Sequence, residues 1–470
     1  MSSNELDFMS AHELARLVST RHVSPVELTE RALQRAQETQ NSLNAFFVLM
    51  PEEALDAARR AERAVMRGEP LGALHGLPIS VKDLIAVAGQ PFASGSRAMA
   101  GNIAKDDAPA VERIKAQGAI VIGKTTTSEF GCKPVGDSPL TGITRHPWNL
   151  DKTPGGSSAG AAASVAAGIT SIALGTDGGG SLRIPAAFTG LVGFKAHFGR
   201  VPVWPTSATP TLAHVGALAR NVADAALLTQ VIAGYDARDP FAVAGVLPDL
   251  GQAAQASLKG LRIAWSPTLG YARPDDEVVE ITTRAARQLA EQGAEIEEVE
   301  AVFEEDPAEL WKAEFYAGVG ARLRPVLENQ RELLDPAVAR VLDIALAQEM
   351  RDYYDSVFQR YALRERMRTF FERHDLLLSP TLPVSSLEAG RNVPPDYDEE
   401  KSLVTWASYT YPFNLTGQPA ASVCAGLTAA EMPVGLQIAG SPHGEADVIR
   451  AAAALERVQP HGYNLKSPVV

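Results

Sequence analysis

The sequence predicts an α/β protein, a β-sheet with helices on its faces. Three observations predict it. Short β-branched runs recur at residues 78–81, 119–122 and 169–174. Gly-rich turns and helical stretches separate these runs, which is the pattern of strands covered by helices. Hydrophobic residues make up 46% of the 470 and charged residues 21%, enough apolar surface for a large core and unlike a disordered or fibrous chain.

The elements follow in order. Ser10 precedes Glu13 by three in a capping-box pattern, and Leu14, Leu17 and Val18 recur at helical spacing. Ser24-Pro25-Val26-Glu27 starts a second helix, with a cap and a proline in the first turn. From Gly72 strands and helices alternate. Residues 159–174 are mostly small and read as a helix followed by a strand, with Gly168 as the helix stop. Residues 235–260, rich in Gly and Pro, read as a long surface connection, and a strand starts at 261–264. Residues 307–373 read as long helices. Strands return at 376–378, 422–424 and 434–438. The last of these are expected to rejoin the main sheet, giving one domain over 1–470 in place of two. The acidic run 295–306 reads as a solvated face.

Charge narrows the function. Lys and Arg number 43 against 56 Asp and Glu, a net −13. That excludes a dedicated nucleic-acid binder or a polybasic membrane-surface protein. Two cysteines, Cys132 and Cys424, build neither a disulfide framework nor a CxxC knuckle and suit a reducing cytoplasm. The first ten residues lack the basic and apolar regions of a secretory leader. No window reaches about 18 strongly apolar residues, so no membrane span is expected. No His and carboxylate spacing suggests a metal.

Two segments carry candidate chemistry. The first runs from Thr153 through Pro154-Gly155-Gly156-Ser157-Ser158 to Gly168, a Gly-rich turn entering a helix of very small residues. The second, Gly175-Thr176-Asp177-Gly178-Gly179-Gly180-Ser181, follows an apolar strand. Three glycines in a row are costly in chain entropy. They permit a tight turn whose N–H groups converge on one spot, suited to an oxyanion or a phosphate. Three readings fit that loop. A phosphate loop lacks the GxxxxGK[ST] and GxGxxG spacings. A purely structural turn is the second. A serine nucleophile beside its own oxyanion hole is the third. Gly156 to Gly160 also spells G-x-S-x-G, but a Pro/Asn/Asp-rich loop precedes it where a nucleophile elbow needs a strand. None of the nine histidines forms an obvious triad; His75, His146, His197 and His214 lie nearest, in turn-like contexts. Lys82 ends the apolar run Gly76-Leu77-Pro78-Ile79-Ser80-Val81, where burial would depress its pKa.

Together, that lysine segment, the Pro-Gly-Gly-Ser-Ser block and the Gly-Thr-Asp-Gly-Gly-Gly-Ser-Leu-Arg-Ile-Pro-Ala block resemble the amidase signature family. Ser157 and Ser181 stand 24 apart, as the family's two serines do. Further matches are Gly123-Lys124-Thr125, Pro147-Trp148-Asn149, Gly190 to Lys195, Asn414 to Pro419 and Pro433 to Ile438. The resemblance covers about residues 25–457. It implies a mixed β-sheet core flanked by helices and a Ser-Ser-Lys triad. Ser181 would be the nucleophile, Ser157, in a cis peptide, the proton relay, and neutral Lys82 the base. The N–H groups of Gly178, Gly179, Gly180 and Ser181 would form the oxyanion hole. Gly131 and Ser158 would flank the substrate, and Asp177 and Arg183 would hold the loop. No metal or organic cofactor is implied. Ala159, often Gly in the family, and Lys195-Ala196-His197, often Lys-Pro-Thr, depart from the pattern.

The resemblance implies an amidohydrolase that cleaves a carboxamide C–N bond, with esters and carbamates (urethanes) sharing the tetrahedral chemistry, in a monomer or homodimer. The same family holds the glutaminase component of tRNA-dependent amidotransferases. That component typically shows Ser-Asp-Thr-Gly-Gly-Ser and Arg-Gln-Pro, where this chain has Thr176 to Ser181 and Arg183-Ile184-Pro185. A catalytically dead binding protein is the third class, and the filled triad positions oppose it. The variable region 236–398 is expected to line part of the substrate pocket. Trp311, Phe315, Tyr316, Tyr353, Tyr354, Trp406, Tyr409 and Tyr411 are candidates for its walls and equally for core packing.

Overall fold

A computed structural model of the chain describes residues 3–459; Met1 and Ser2 of the segment read for a leader lie outside them. The two opening helix signals work as read. Ser10 Oγ accepts from Glu13 N–H at 3.1 Å and caps Ala11–Ser19. The Glu13 carboxylate, however, pairs with Arg16. Ser24 Oγ accepts from Val26 N–H at 2.9 Å and caps Pro25–Leu43.

The strands are β1 (Phe46–Leu49), β2 (Pro78–Lys82), β3 (Ile120–Thr125), β4 (Asp137–Ser138), β5 (Gly142–Ile143), β6 (Ile172–Asp177), β7 (Val192–Lys195), β8 (His214–Ala219), β9 (Arg262–Trp265), β10 (Glu295–Glu298), β11 (Leu376–Pro380), β12 (Ala420–Leu427) and β13 (Pro433–Gly440). β4 and β5 pair only with each other, and the other eleven form one sheet in the order β1-β3-β2-β6-β8-β7-β12-β13-β11-β9-β10. The sheet is mixed. β3, β2 and β6 run parallel, the stretch from β6 to β11 is antiparallel, and β11, β9 and β10 are parallel. β12 and β13 return to mid-sheet, as expected.

Strands buried on both faces read as continuous apolar runs, and β2, β8 and β13 are buried along their whole length. Alternate residues divide between two cores. Ile172 and Leu174 join the large cluster under the helices Val222–Ile232, Asp276–Glu291 and Glu445–Val458. Ala173 faces the other way, onto the small-residue helix Ala159–Ala166. Small residues bring that helix very close: a Cβ on Gly160 would lie 2.2 Å from Ala45 O. Gly168, with φ +71°, follows its end as expected.

The structure adds detail to two expectations, an acidic run that is largely exposed and a connection that stays at the surface. The acidic run opens on a strand: Glu295–Glu298 pairs with β9 at the sheet edge. Only Ile296 there is half-buried, so the alternation that marks a strand shrinks to one residue. The connection 235–260 also holds a one-turn helix, Leu250–Ala253, anchored by fully buried Leu250. The long helices are Ala308–Asn329, Pro336–Leu346 and Met350–Arg373. No helix among the described residues is long and apolar enough to cross a membrane.

Candidate active site

β2 delivers Lys82 into the interior, where its side chain is 0% exposed. Nζ lies 2.7 Å from Ser157 Oγ, 2.9 Å from Ser158 Oγ and 2.8 Å from Thr176 Oγ1. All three neighbours are hydroxyls. Burial pushes the Lys82 amine well below its ordinary value, and the field of Asp177 opposes this only in part. Of the other buried lysines, Lys124 pairs with Asp83 and Lys133 with Asp137 and Asp335, whereas Lys195 meets the carbonyls of Ala196 and Gln418 and the His214 ring.

Ser157 and Ser158 lie where the Gly-rich turn enters the helix Ala159–Ala166, and the Gly156–Ser157 peptide bond is cis. Turn residues, not a strand, precede them, which removes the nucleophile-elbow reading. Ser158 differs from its expected role beside the substrate. It is fully buried, it donates to Thr176 O at 3.1 Å, and it stands behind Lys82. It ties the helix start to β6.

Ser181 follows β6 across the three glycines and is 8% exposed. The loop is fixed by an ion pair with no exposed atoms: Arg183 Nη2 and Nε donate to Asp177 Oδ1 and Oδ2 at 2.9 and 3.0 Å. Three more bonds reach Thr410 O, Gln437 Oε1 and Asn414 Oδ1 at 2.7–2.8 Å. Five bonds match the five N–H donors of a guanidinium. Burial alone would raise the Asp177 carboxyl, but the Arg183 charge holds it well below the usual carboxylate range. Asp177 and Arg183 thus hold the loop.

Gly180 departs from expectation. Its N–H donates to Asp177 Oδ1 at 2.7 Å and is spent within the loop. Among the described residues no hydrogen bond engages the N–H groups of Gly178, Gly179 or Ser181. Gly178, Ser181, Ser157, Thr176 and Gly131 all face one cavity of about 270 Å³. Gly131, with φ +73°, sits close enough that an added Cβ would lie 3.2 Å from Ser157 Oγ. The cavity walls are mostly apolar, with Leu84, Phe92, Phe130, Phe315 and Val319 among them. No cluster of three or more His, Cys, Asp or Glu suited to a metal occurs among the described residues.

A buried amine among hydroxyls, a serine that shares a cavity with one of them and free N–H groups on a glycine turn are the parts of a hydrolase acting on a carbonyl. Residues 27–449 match the Amidase family. The chain belongs to that family, the amidase signature enzymes. An acylamidase from Rhodococcus erythropolis is 36% identical over 466 residues, covering 98% of this chain and 97% of the relative. A glutamyl-tRNA(Gln) amidotransferase component from Moorella thermoacetica is 34% identical over 482 residues, covering 96% and 97%. Among solved structures, a bacterial aryl acylamidase of the same family superposes with a TM-score of 0.91 at 31% identity, covering 98% of both chains. A 6-aminohexanoate cyclic dimer hydrolase gives 0.88 at 27%, covering 97% and 98%. The protein is a hydrolase of amide C–N bonds.

Of the amidase's candidate aromatics, Phe315 lines the cavity. Trp311 supports the loop through Nε1, which donates to Gly178 O at 2.8 Å. The Tyr316 hydroxyl donates to Cys132 O, next to Gly131, at 3.1 Å. Tyr411 donates to Asp306. Trp406 and Tyr409 are core, and Tyr353 and Tyr354 stand off the cavity on Met350–Arg373. Residues 203–209 form a wall that sequence reasoning missed, with a cis Trp204–Pro205 bond. Their only signal was a turn-like Trp-Pro pair. His214 opens β8, not a turn, and its Nδ1 lies 3.1 Å from Asp177 O.

Proposed function

We propose that this amidase cleaves carboxamides through an acyl-enzyme on Ser181, with Ser157 as proton relay and Lys82 as base, and that its substrates carry an apolar acyl or aryl group. The observation that carries the reading is Lys82. A fully buried amine that meets three hydroxyls within 2.9 Å and no carboxylate is held neutral, and only a neutral amine accepts a proton. The Ser158 hydrogen is committed to Thr176 O, so Ser158 accepts from Nζ. That leaves the lone pair for the Ser157 hydroxyl.

Ser181 Oγ attacks the carbonyl carbon while its proton passes through Ser157 to Lys82. The N–H groups of Gly178, Gly179 and Ser181 receive the oxyanion, each lost donor costing about 3–4 kcal/mol of barrier. Lys82 returns the proton through Ser157 to the leaving nitrogen as the C–N bond breaks. Water then attacks the acyl-enzyme by the same relay, releasing the acid and restoring Ser181. Esters and carbamates fit the same route. Lys82, Ser157 and Ser181 need neither metal nor organic cofactor for any of these steps. We place the enzyme in the cytoplasm as a monomer or homodimer, without a nucleic-acid partner.

The acylamidase and aryl acylamidase likenesses support an acyl amide substrate. The amidotransferase relatives favour a second reading, glutamine hydrolysis within a glutaminase complex. Glutamine, however, presents an α-ammonium, and among the described residues no carboxylate lines the cavity to meet it. A fluorophosphonate probe should label Ser181, and Ser181→Ala should abolish turnover of acyl anilides without unfolding the protein. Labelling elsewhere, or ammonia release from glutamine faster than anilide cleavage, overturns the proposal.

A further inference from the structure

The loop that ends at Ser181 is held by its carbonyls. Asp177 O accepts from Asn414 Nδ2 at 3.0 Å, Gly178 O from Trp311 Nε1 at 2.8 Å, Gly179 O from Thr410 Oγ1 at 2.6 Å and Gly180 O from Ile184 N–H at 2.7 Å. In a trans peptide the next residue's N–H points away from the carbonyl. Each anchor therefore aims one donor: Asn414 aims Gly178 N–H, Trp311 aims Gly179 N–H, Thr410 aims Gly180 N–H and Ile184 aims Ser181 N–H.

Three anchors belong to the Arg183 network or to the loop's own helix. Trp311 does not. It comes from Ala308–Asn329, within the region expected to select the substrate. Trp311 and Phe315 stack at 4.3 Å between centroids with 19° between planes, and the pair lies against the glycines. A Cβ on Gly178 would meet Phe315 Cε2 at 2.8 Å, and one on Gly179 would meet Trp311 Cζ2 at 2.8 Å. Phe315 also lines the cavity. A substrate group packed on Phe315 is thus one ring away from the residue that aims an oxyanion donor.

We infer that Trp311 is a positioning residue whose indole N–H aims Gly179 at the oxyanion, and that its stack on Phe315 couples the substrate's apolar group to that aim. The inference rests on the oxyanion loop proposed above. It makes binding of the apolar group raise kcat as well as lower KM, because part of that binding is realised only when the loop meets the transition state.

The test is a series of p-nitroanilides from acetyl to hexanoyl. In the wild type kcat should rise with acyl length. Trp311→Phe keeps a ring on the stack and removes the N–H. It should lower kcat by about 10- to 100-fold, less than deletion of a donor outright, with KM within about twofold. An alkylboronic acid, which forms a tetrahedral adduct at serine, should weaken by the same factor as kcat, while inhibition by the acid product holds. Phe315→Leu keeps the Trp311 N–H and thins the stack, and it should flatten the rise of kcat with acyl length; it carries the test if Trp311→Phe fails to fold by thermal melt. A raised KM with unchanged kcat in Trp311→Phe, or an unflattened series in Phe315→Leu, overturns the inference. Fluorophosphonate labelling of wild-type Ser181 separates the failures. Labelled Ser181 with an intact Trp311→Phe kcat sinks this inference alone, whereas unlabelled Ser181 sinks the nucleophile reading beneath it.

Discussion

Replacing Lys82 by methionine keeps the length and apolar stem of the side chain and deletes the amine. Lys82 is the sole side-chain partner of Ser157 Oγ among the described residues, at 2.7 Å, so no second base stands ready. Loss of a general base costs about 10²–10⁴ in rate, or about 3–5 kcal/mol of barrier, and a relay with one exit belongs at the upper end. The assay is kcat/KM on an acyl anilide as a function of pH. A protonated amine has no lone pair, so activity appears as Lys82 loses its proton. Burial sets that loss well below the ordinary 10.5. On the acid limb kcat/KM should therefore climb about tenfold per pH unit and then level into a neutral-to-alkaline plateau. Stability carries the same sign. Between the folded pKa and 10.5 the unfolded chain binds a proton that the folded chain does not, so wild-type stability rises with pH there. At lower pH the wild type bears the full cost of burying the amine, and Lys82→Met should melt above it at neutral pH. Lys82→Arg should not rescue activity, since a guanidinium stays charged. A Lys82→Met rate within about tenfold of wild type, or a profile flat down to the carboxylate range, would refute the assignment.

Asp177→Asn keeps the shape of the loop but leaves the Arg183 charge buried without its counter-ion. Breaking a buried pair in this way costs about 3–5 kcal/mol, read by urea unfolding, and a loss below about 1 kcal/mol would mean the hydrogen bonds to residues 410–437 suffice. Gly160→Ala places a Cβ 2.2 Å from Ala45 O and 2.4 Å from Thr126 Oγ1. It should push the Ala159–Ala166 helix off its neighbours at a cost of about 1–3 kcal/mol, and an unshifted Tm would show that the helix has room to spare.

Chemistry tied to local pattern was legible in the sequence. The glycine turn before Ser181, the end of the apolar run at Lys82 and the two serine-capped helices each depend on a few adjacent residues. Features that depend on tertiary neighbours were not. Ser158 reads as a residue flanking the substrate, and only the approach of β6 shows that it contacts Lys82. Gly180 looks equivalent to Gly178 and Gly179 until the Asp177 carboxylate turns back onto its N–H. The wall at 203–209 has no periodicity to read. β10 hides in an acidic run because a sheet edge asks for only one apolar contact.

The five bonds of Arg183 also set an order of assembly. A ribosome works from the N-terminus, so Lys82, Ser157 and Ser181 emerge together while Thr410, Asn414 and Gln437 are still unmade. Until those three arrive, Arg183 has only Asp177 for company, and an interior guanidinium with three idle donors is too costly to bury. The loop that would cradle an oxyanion therefore stays open through most of translation. A nascent chain that already carries Lys82, Ser157 and Ser181 completes the Arg183 network only once β13 brings Gln437 to it.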